Sequence, residues 1–84
     1  MYEVHLENAA QRDLKKLTAE VYHRIVSHLK ELKSNPRPSG SRKITGSKND
    51  WRVRVGDYRI LYEIDDKLRK VNVMKIRHRR EVYR

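Results

Sequence analysis

Residues 51–64 read WRVRVGDYRILYEI. Two runs rich in β-branched and aromatic residues flank Gly56-Asp57, a two-residue hairpin signal. With that pair as the loop, Val55 faces Tyr58, Arg54 faces Arg59, Val53 faces Ile60, Arg52 faces Leu61 and Trp51 faces Tyr62. Side chains alternate between the faces of a strand. One face therefore carries Trp51, Val53, Val55, Tyr58, Ile60, Tyr62 and Ile64, an apolar set that needs cover. The other carries Arg52, Arg54, Arg59, Leu61 and Glu63. Two arginines directly opposite each other cost on the order of a few tenths to 1 kcal/mol, a poor choice for a purely structural sheet. Arginine's planar fork matches phosphate geometry and keeps its proton, so this face is expected to meet an anion. A register slip of one residue would exchange the two faces.

The elements on either side complete an α+β pattern. KVNVMKI (70–76) continues the sheet after the turn DDKLR (65–69). Upstream, YEVHLE (2–7) alternates like a short first strand. Asn8 is placed to cap a helix over AAQRDLKKL, with Ala10, Leu14 and Leu17 on one side. Thr18 is placed to cap a second helix, whose Val21, Tyr22, Ile25, Val26, Leu29 and Leu32 form an apolar stripe expected in the core. SNPRPSGS (34–41) cannot continue that helix. The expected order is β-α-α-β-β-β in a single domain over residues 1–84, with an N-terminal helical hairpin packed on one face of an antiparallel sheet.

Charge narrows the function. The chain has 21 Lys and Arg against 11 Asp and Glu, a net charge of +10. Residues 1–33 carry 6 basic and 5 acidic side chains, whereas residues 34–84 carry 15 and 6. A uniform solubilising coat would not gather in one half; a polyanion-binding face would. The absence of Cys excludes disulfides and thiolate metal sites. No run is apolar enough to span a bilayer and the N-terminus does not read as a signal peptide, so a cytoplasmic protein is expected. No His/Asp/Glu cluster has metal-ligand spacing, and neither a metal nor another cofactor is expected. The last eight residues, RHRREVYR, hold four arginines, His78 and Tyr83. Beside an open arginine face, such a tail suits a cleft for a phosphodiester chain, with rings to stack on bases and guanidiniums to hold phosphates.

GDYRILYEI and HRREVY, at this spacing and together with KITG and the helical hairpin, resemble the RelE/ParE superfamily of bacterial and archaeal toxins over nearly the whole chain. The tail is more similar to the RelE branch, which cuts mRNA on the ribosome, than to the ParE branch, which poisons DNA gyrase. The resemblance implies that Arg59 holds the scissile phosphate. It makes Arg77 a second phosphate or transition-state arginine, and Tyr83 a catalytic and base-stacking residue. Arg52 and Arg54 sit where RelE has lysines. Arginine cannot act as a base, and SGSRK offers no glutamate ahead of the tryptophan strand. His78, with an ordinary pKa of about 6.5, is the remaining candidate for moving a proton; the alternative is a strand-end packing or surface role. His5, His23 and His28 are assigned no chemistry. Lys43, Lys48, Arg79 and Arg80 are candidate RNA-binding residues.

The resemblance thus implies a metal-independent endoribonuclease. The ribose 2′-OH attacks the adjacent phosphate while arginines stabilise the developing charge, and DNA is spared because it lacks that hydroxyl. The implied partners are mRNA, the ribosome and a small antitoxin encoded alongside, with an acidic segment. Two alternatives stay open: a gyrase inhibitor without chemistry, and an inactive RNA-binding or antitoxin-titrating relative.

Overall fold

A computed structural model describes residues 1–82. The elements are β1 (Glu3–Leu6), α1 (Asn8–Lys15), α2 (Ala19–Ser34), β2 (Arg42–Lys43), β3 (Asp50–Val55), β4 (Tyr58–Asp65), β5 (Lys70–His78) and α3 (Arg79–Val82). They form one five-stranded sheet in the order β1-β5-β4-β3-β2.

The β3–β4 hairpin has the register expected from its loop, with all five pairs from Val55–Tyr58 to Trp51–Tyr62 in place and a sixth, Asp50–Glu63, beyond them. Gly56 adopts φ 60° and Asp57 does not take a positive φ. Glycine at the first loop position is the II′ arrangement, whose twist matches that of the flanking strands. The apolar face is the buried one. Val53, Val55, Ile60, Tyr62 and Ile64 are buried there with Val71, Val73 and Ile76 of β5, beneath Ala10 of α1 and Ile25, Leu29 and Leu32 of α2. Trp51 and Tyr58 are half-buried at its margin.

The chain departs from the expected pattern in five places. The sheet is mixed: β2 to β5 are antiparallel neighbours, but β1 joins β5 in parallel, so that Val4 and Leu6 align with Val71 and Val73 on the core face. The short strand β2 lies where a loop was expected. Asn8 is the first residue of α1 and not its cap; Glu7 holds the cap position without a side-chain cap bond. The cause is the sheet, because the Glu7 N–H still donates to Val73 O at 2.9 Å and keeps that residue extended. Tyr22, in the first turn of α2, is 42% exposed with its ring edge-on to His23. Thr18, by contrast, caps α2 as expected, accepting the Val21 N–H at 3.4 Å.

The fifth departure is a β-bulge in β5. Lys75 stands opposite Leu61 while Val73 stands opposite Tyr62, which leaves Met74 as the extra residue. Strict alternation from Val71 and Val73 would bury positions 75 and 77 and expose 76. The bulge reverses that phase. Ile76 enters the core opposite Ile60, and Arg77 comes to stand opposite Arg59.

At the far end of the sheet, Arg37 forks onto Asp66 at 2.8 and 3.3 Å and lies 5.1 Å from the Trp51 ring centre, while the Tyr2 hydroxyl donates to Asp66 at 2.6 Å. Bonding to Arg37, and then to Tyr2, holds the Asp66 carboxyl below the usual carboxylate range. Together these contacts tie the α2–β2 loop to the β4–β5 turn. The same loop is anchored inside by the buried Tyr62, whose hydroxyl donates to Pro36 O at 2.8 Å.

Burial pushes the Tyr62 phenol up to about 12, with Ser41 and the Arg37 charge pulling partly the other way. The unfolded chain therefore loses this proton first as pH rises, and the phenol's contribution to stability falls between the ordinary tyrosine value of about 10 and about 12. Tyr62→Phe should cost about 1–2 kcal/mol at neutral pH, by leaving Pro36 O without its donor. It should also flatten the alkaline loss of stability; urea unfolding of both proteins at pH 8 and pH 11 measures each effect.

Candidate anion-binding face

The sheet face away from the helices carries its cations in two rows that cross the strands. In the first row Arg54 stands opposite Arg59, and Arg59 opposite Arg77. In the second row Arg42 stands opposite Arg52, Arg52 opposite Leu61, and Leu61 opposite Lys75. Neighbouring strands are about 4.8 Å apart, so the first row is a closely spaced line of positive charge, and Leu61 divides the second. Arg42, Arg52, Arg54 and Arg59, with Gly40 at the rim, line a cleft of about 320 Å3. A smaller recess of about 50 Å3 adjoins it at the hairpin turn, where Arg79 meets Arg54 and Arg59. The Arg79 N–H donates to Asp57 O at 2.7 Å, which pins the start of α3 to the turn.

The carboxylates expected to compensate Arg52 and Arg54 lie along other parts of the sheet. Asp50, Glu63 and Asn72 make up the next row along the strands, and Asp65 pairs with Lys70 beyond it. Among the described residues, Arg52 and Arg54 form no ion pair with Asp57, Glu63 or Asp65. Arg54 instead donates its Nε–H to Gly56 O at 2.9 Å, which sets the direction of its side chain. Arg77 is held differently, with Nη1 lying 3.5 Å from Asp13 and 3.3 Å from Glu81.

Of the residues singled out in the sequence, Arg52, Arg54 and Arg59 line one cleft, whereas the bulge puts Arg77 opposite Arg59 but its side chain lines a separate recess with Asp13, Lys16 and Tyr58. His78 does not join them. It stands opposite Tyr58, one residue out of phase with Arg77, and its ring meets the Tyr58 ring edge-on at 5.1 Å. Its Nδ1 also accepts the Arg80 N–H at 3.3 Å. That placement puts His78 on the opposite face of β5 from the Arg54–Arg59 row. Lys43 likewise falls out of phase, because it pairs with Trp51 on the helix side. Lys48 lies exposed in the β2–β3 loop, and Arg79 and Arg80 are exposed at the start of α3. Tyr83 lies outside the described residues. Two cations of this face were missed. Arg42 belongs to a two-residue strand with no periodicity to read, and Lys75 is brought to the face by the bulge.

Comparisons with known proteins agree with this fold. A family model described as "ParE toxin of type II toxin-antitoxin system, parDE" matches residues 4–83. The chain belongs to the RelE/ParE toxin family. It is 32% identical to Toxin RelG of Mycobacterium tuberculosis, over 99% of this chain and 97% of that one. A chain of the archaeal RelE-RelB complex from Pyrococcus horikoshii superposes with a TM-score of 0.84 at 25% identity, covering 93% of this chain and 94% of that chain. A chain of the toxin-antitoxin complex RelBE2 from M. tuberculosis gives 0.82 at 28% identity, covering 92% and 96%. The protein is thus a type II toxin of the RelE family with the RelE-like fold. No helix among its described residues is long and apolar enough to cross a membrane.

A row of guanidiniums on a rigid sheet is bought at the expense of stability. Replacing Arg52 and Arg54 by Thr removes the pairings with Arg42 and Arg59 and keeps strand propensity. The double variant should unfold about 1 kcal/mol less readily than the parent at low ionic strength, and the gain should shrink as salt screens the parent's repulsion. Urea unfolding followed by the fluorescence of Trp51 at low and high salt reads both effects.

Proposed function

We propose that this toxin is an endoribonuclease that cuts mRNA, in the ribosomal A site, without a catalytic metal, and so arrests translation. The observation that carries the reading is the row Arg54–Arg59–Arg77, lined up with Arg42, Arg52 and Lys75 on one open sheet face. A purely structural sheet has no use for that array, whereas an RNA backbone supplies a phosphate charge for each nucleotide. The 2′-hydroxyl loses its proton as its oxygen attacks the adjacent phosphorus in line; the P–O5′ bond breaks and O5′ takes up a proton, leaving a 2′,3′-cyclic phosphate and a 5′-hydroxyl. Arg59 holds the scissile phosphate, and Arg54 and Arg77 flank it. Their N–H groups meet the charge that builds on the non-bridging oxygens, the largest catalytic contribution in sites of this kind. Arg42, Arg52 and Lys75 hold the neighbouring phosphates, and Lys48, Arg79 and Arg80 extend the basic surface. To Tyr83 we assign stacking on the substrate base, as the family resemblance implies. Both structural relatives named above were crystallised as toxin–antitoxin complexes. We extend that arrangement to this chain and expect a small antitoxin whose acidic segment meets the +10 surface.

Primer extension on a defined mRNA in a purified translation system, with and without ribosomes, tests the reading. The parent should cut only on ribosomes, and Arg59→Ala should lower the rate by about 10²- to 10³-fold while the protein stays folded. Cuts on naked RNA would keep the nuclease and discard the ribosome. No cuts from folded, growth-inhibiting protein would overturn the reading in favour of gyrase inhibition, the activity of the ParE branch. In parallel, binding of a non-cleavable oligonucleotide should weaken with salt. Each of Arg42, Arg52 and Arg54 replaced by Gln should reduce the log–log slope by about 0.7.

A further inference from the structure

We propose that Asp13 is the positioning residue for Arg77, fixing the last arginine of the row from behind. The proposal rests on the ribonuclease reading for its kinetic consequence, though not for its structural one. Asp13 lies in the last turn of α1, where the negative end of a helix disfavours a carboxylate, among the basic residues Arg12 and Lys15. Its side chain is nevertheless only 11% exposed, and both of its oxygens are used. Oδ2 accepts the Ile76 N–H at 2.9 Å, and Oδ1 lies 3.5 Å from Arg77 Nη1.

The first contact answers a gap in the sheet. β1 pairs with β5 only as far as Val73, so past that point the outer edge of β5 has no strand to receive its N–H groups. A carboxylate from α1 takes the place of the missing carbonyl at Ile76. This is the stretch just past the bulge, whose phase puts Arg77 opposite Arg59 while its guanidinium turns back over the strand edge to α1. The second contact then acts on the head of that side chain. The guanidinium is a planar fork with five donors. Asp13 and Glu81 both engage Nη1, so they hold one corner and thereby set the plane of the rest. A recess of about 220 Å3 beside this contact, lined also by Lys16 and Tyr58, gives the side chain room to swing once the anion behind it is gone. Glu81 is the weaker holder, because its side chain is 52% exposed on a single-turn helix.

The decisive variant is Asp13→Asn, which keeps an oxygen for the Ile76 N–H and removes the charge facing Arg77. In the full-length toxin the Ile76 amide should remain protected from hydrogen exchange, while the Arg77 Nε–H exchanges severalfold faster in NMR spectra. On programmed ribosomes kcat should fall about tenfold, the scale of a misplaced catalytic group, with KM within about twofold. In an Arg77→Ala background the same substitution should change nothing further. Asp13→Glu should recover part of the rate. An unchanged Arg77 Nε–H, or a rate loss of equal size in both backgrounds, would overturn the proposal. If the parent cuts no RNA at all, the ribonuclease reading fails, and side-chain exchange alone decides whether Asp13 orders Arg77.

Discussion

The structure depends on a two-residue turn. Gly56 at φ 60° lets β3 and β4 meet with Val55 opposite Tyr58, and every later assignment of inside and outside follows from that pairing. A shift of one residue would carry Val53, Val55, Ile60 and Tyr62 into water and drive Arg52, Arg54 and Arg59 beneath the helices. Burial of those apolar side chains, each worth roughly 1.5–3 kcal/mol, holds the register against the repulsion on the opposite face. The hydrophobic side of the hairpin therefore keeps the cationic side assembled. A rigid backbone then presents the arginines at fixed spacing, with no loop having to be ordered first.

A second constraint is local and works against the first. Sheet alternation alone would bury position 77 with Val71 and Val73, and the extra residue Met74 breaks that alternation once. The bulge lets one strand serve two phases. Its first half aligns with β1 in parallel, and its second half aligns Arg77 with Arg59 in the cationic row. Where the strand loses its outer neighbour, α1 lends the carboxylate of Asp13 to the exposed edge. The cationic row and the helical layer are thus joined at one side chain.

Much of this was legible in the residues themselves. The hairpin register followed from Gly-Asp and a period of two, and the α2 cap and the end of that helix followed from Thr18 and SNPRPSGS. What escaped depends on non-local pairing. Nothing in VNVMKI announces a bulge, because Ile76 alone asks for the inward phase and a single residue is a weak vote. The two residues of β2 are too few to show alternation, so nothing in the sequence marks Arg42 rather than Lys43 as the one on the cationic face. His78 and Arg77 are neighbours in sequence, which strand geometry assigns to opposite faces. The Asn8 cap failed because Glu7 was already committed to the sheet.

The sheet also ends in ways that limit what can add to it. One outer strand, β2, is two residues long and consists of Arg42 and Lys43. The other, β1, is four residues long, and its last carbonyl is occupied by the Gln11 side chain at 3.0 Å. An open sheet with long bare margins invites other chains to zip onto it and grow into aggregates; short, charged or occupied margins refuse them. The arginines that repel one another across the strands also repel the arginines of any second copy. The margins of this sheet are thereby closed to edge-to-edge growth.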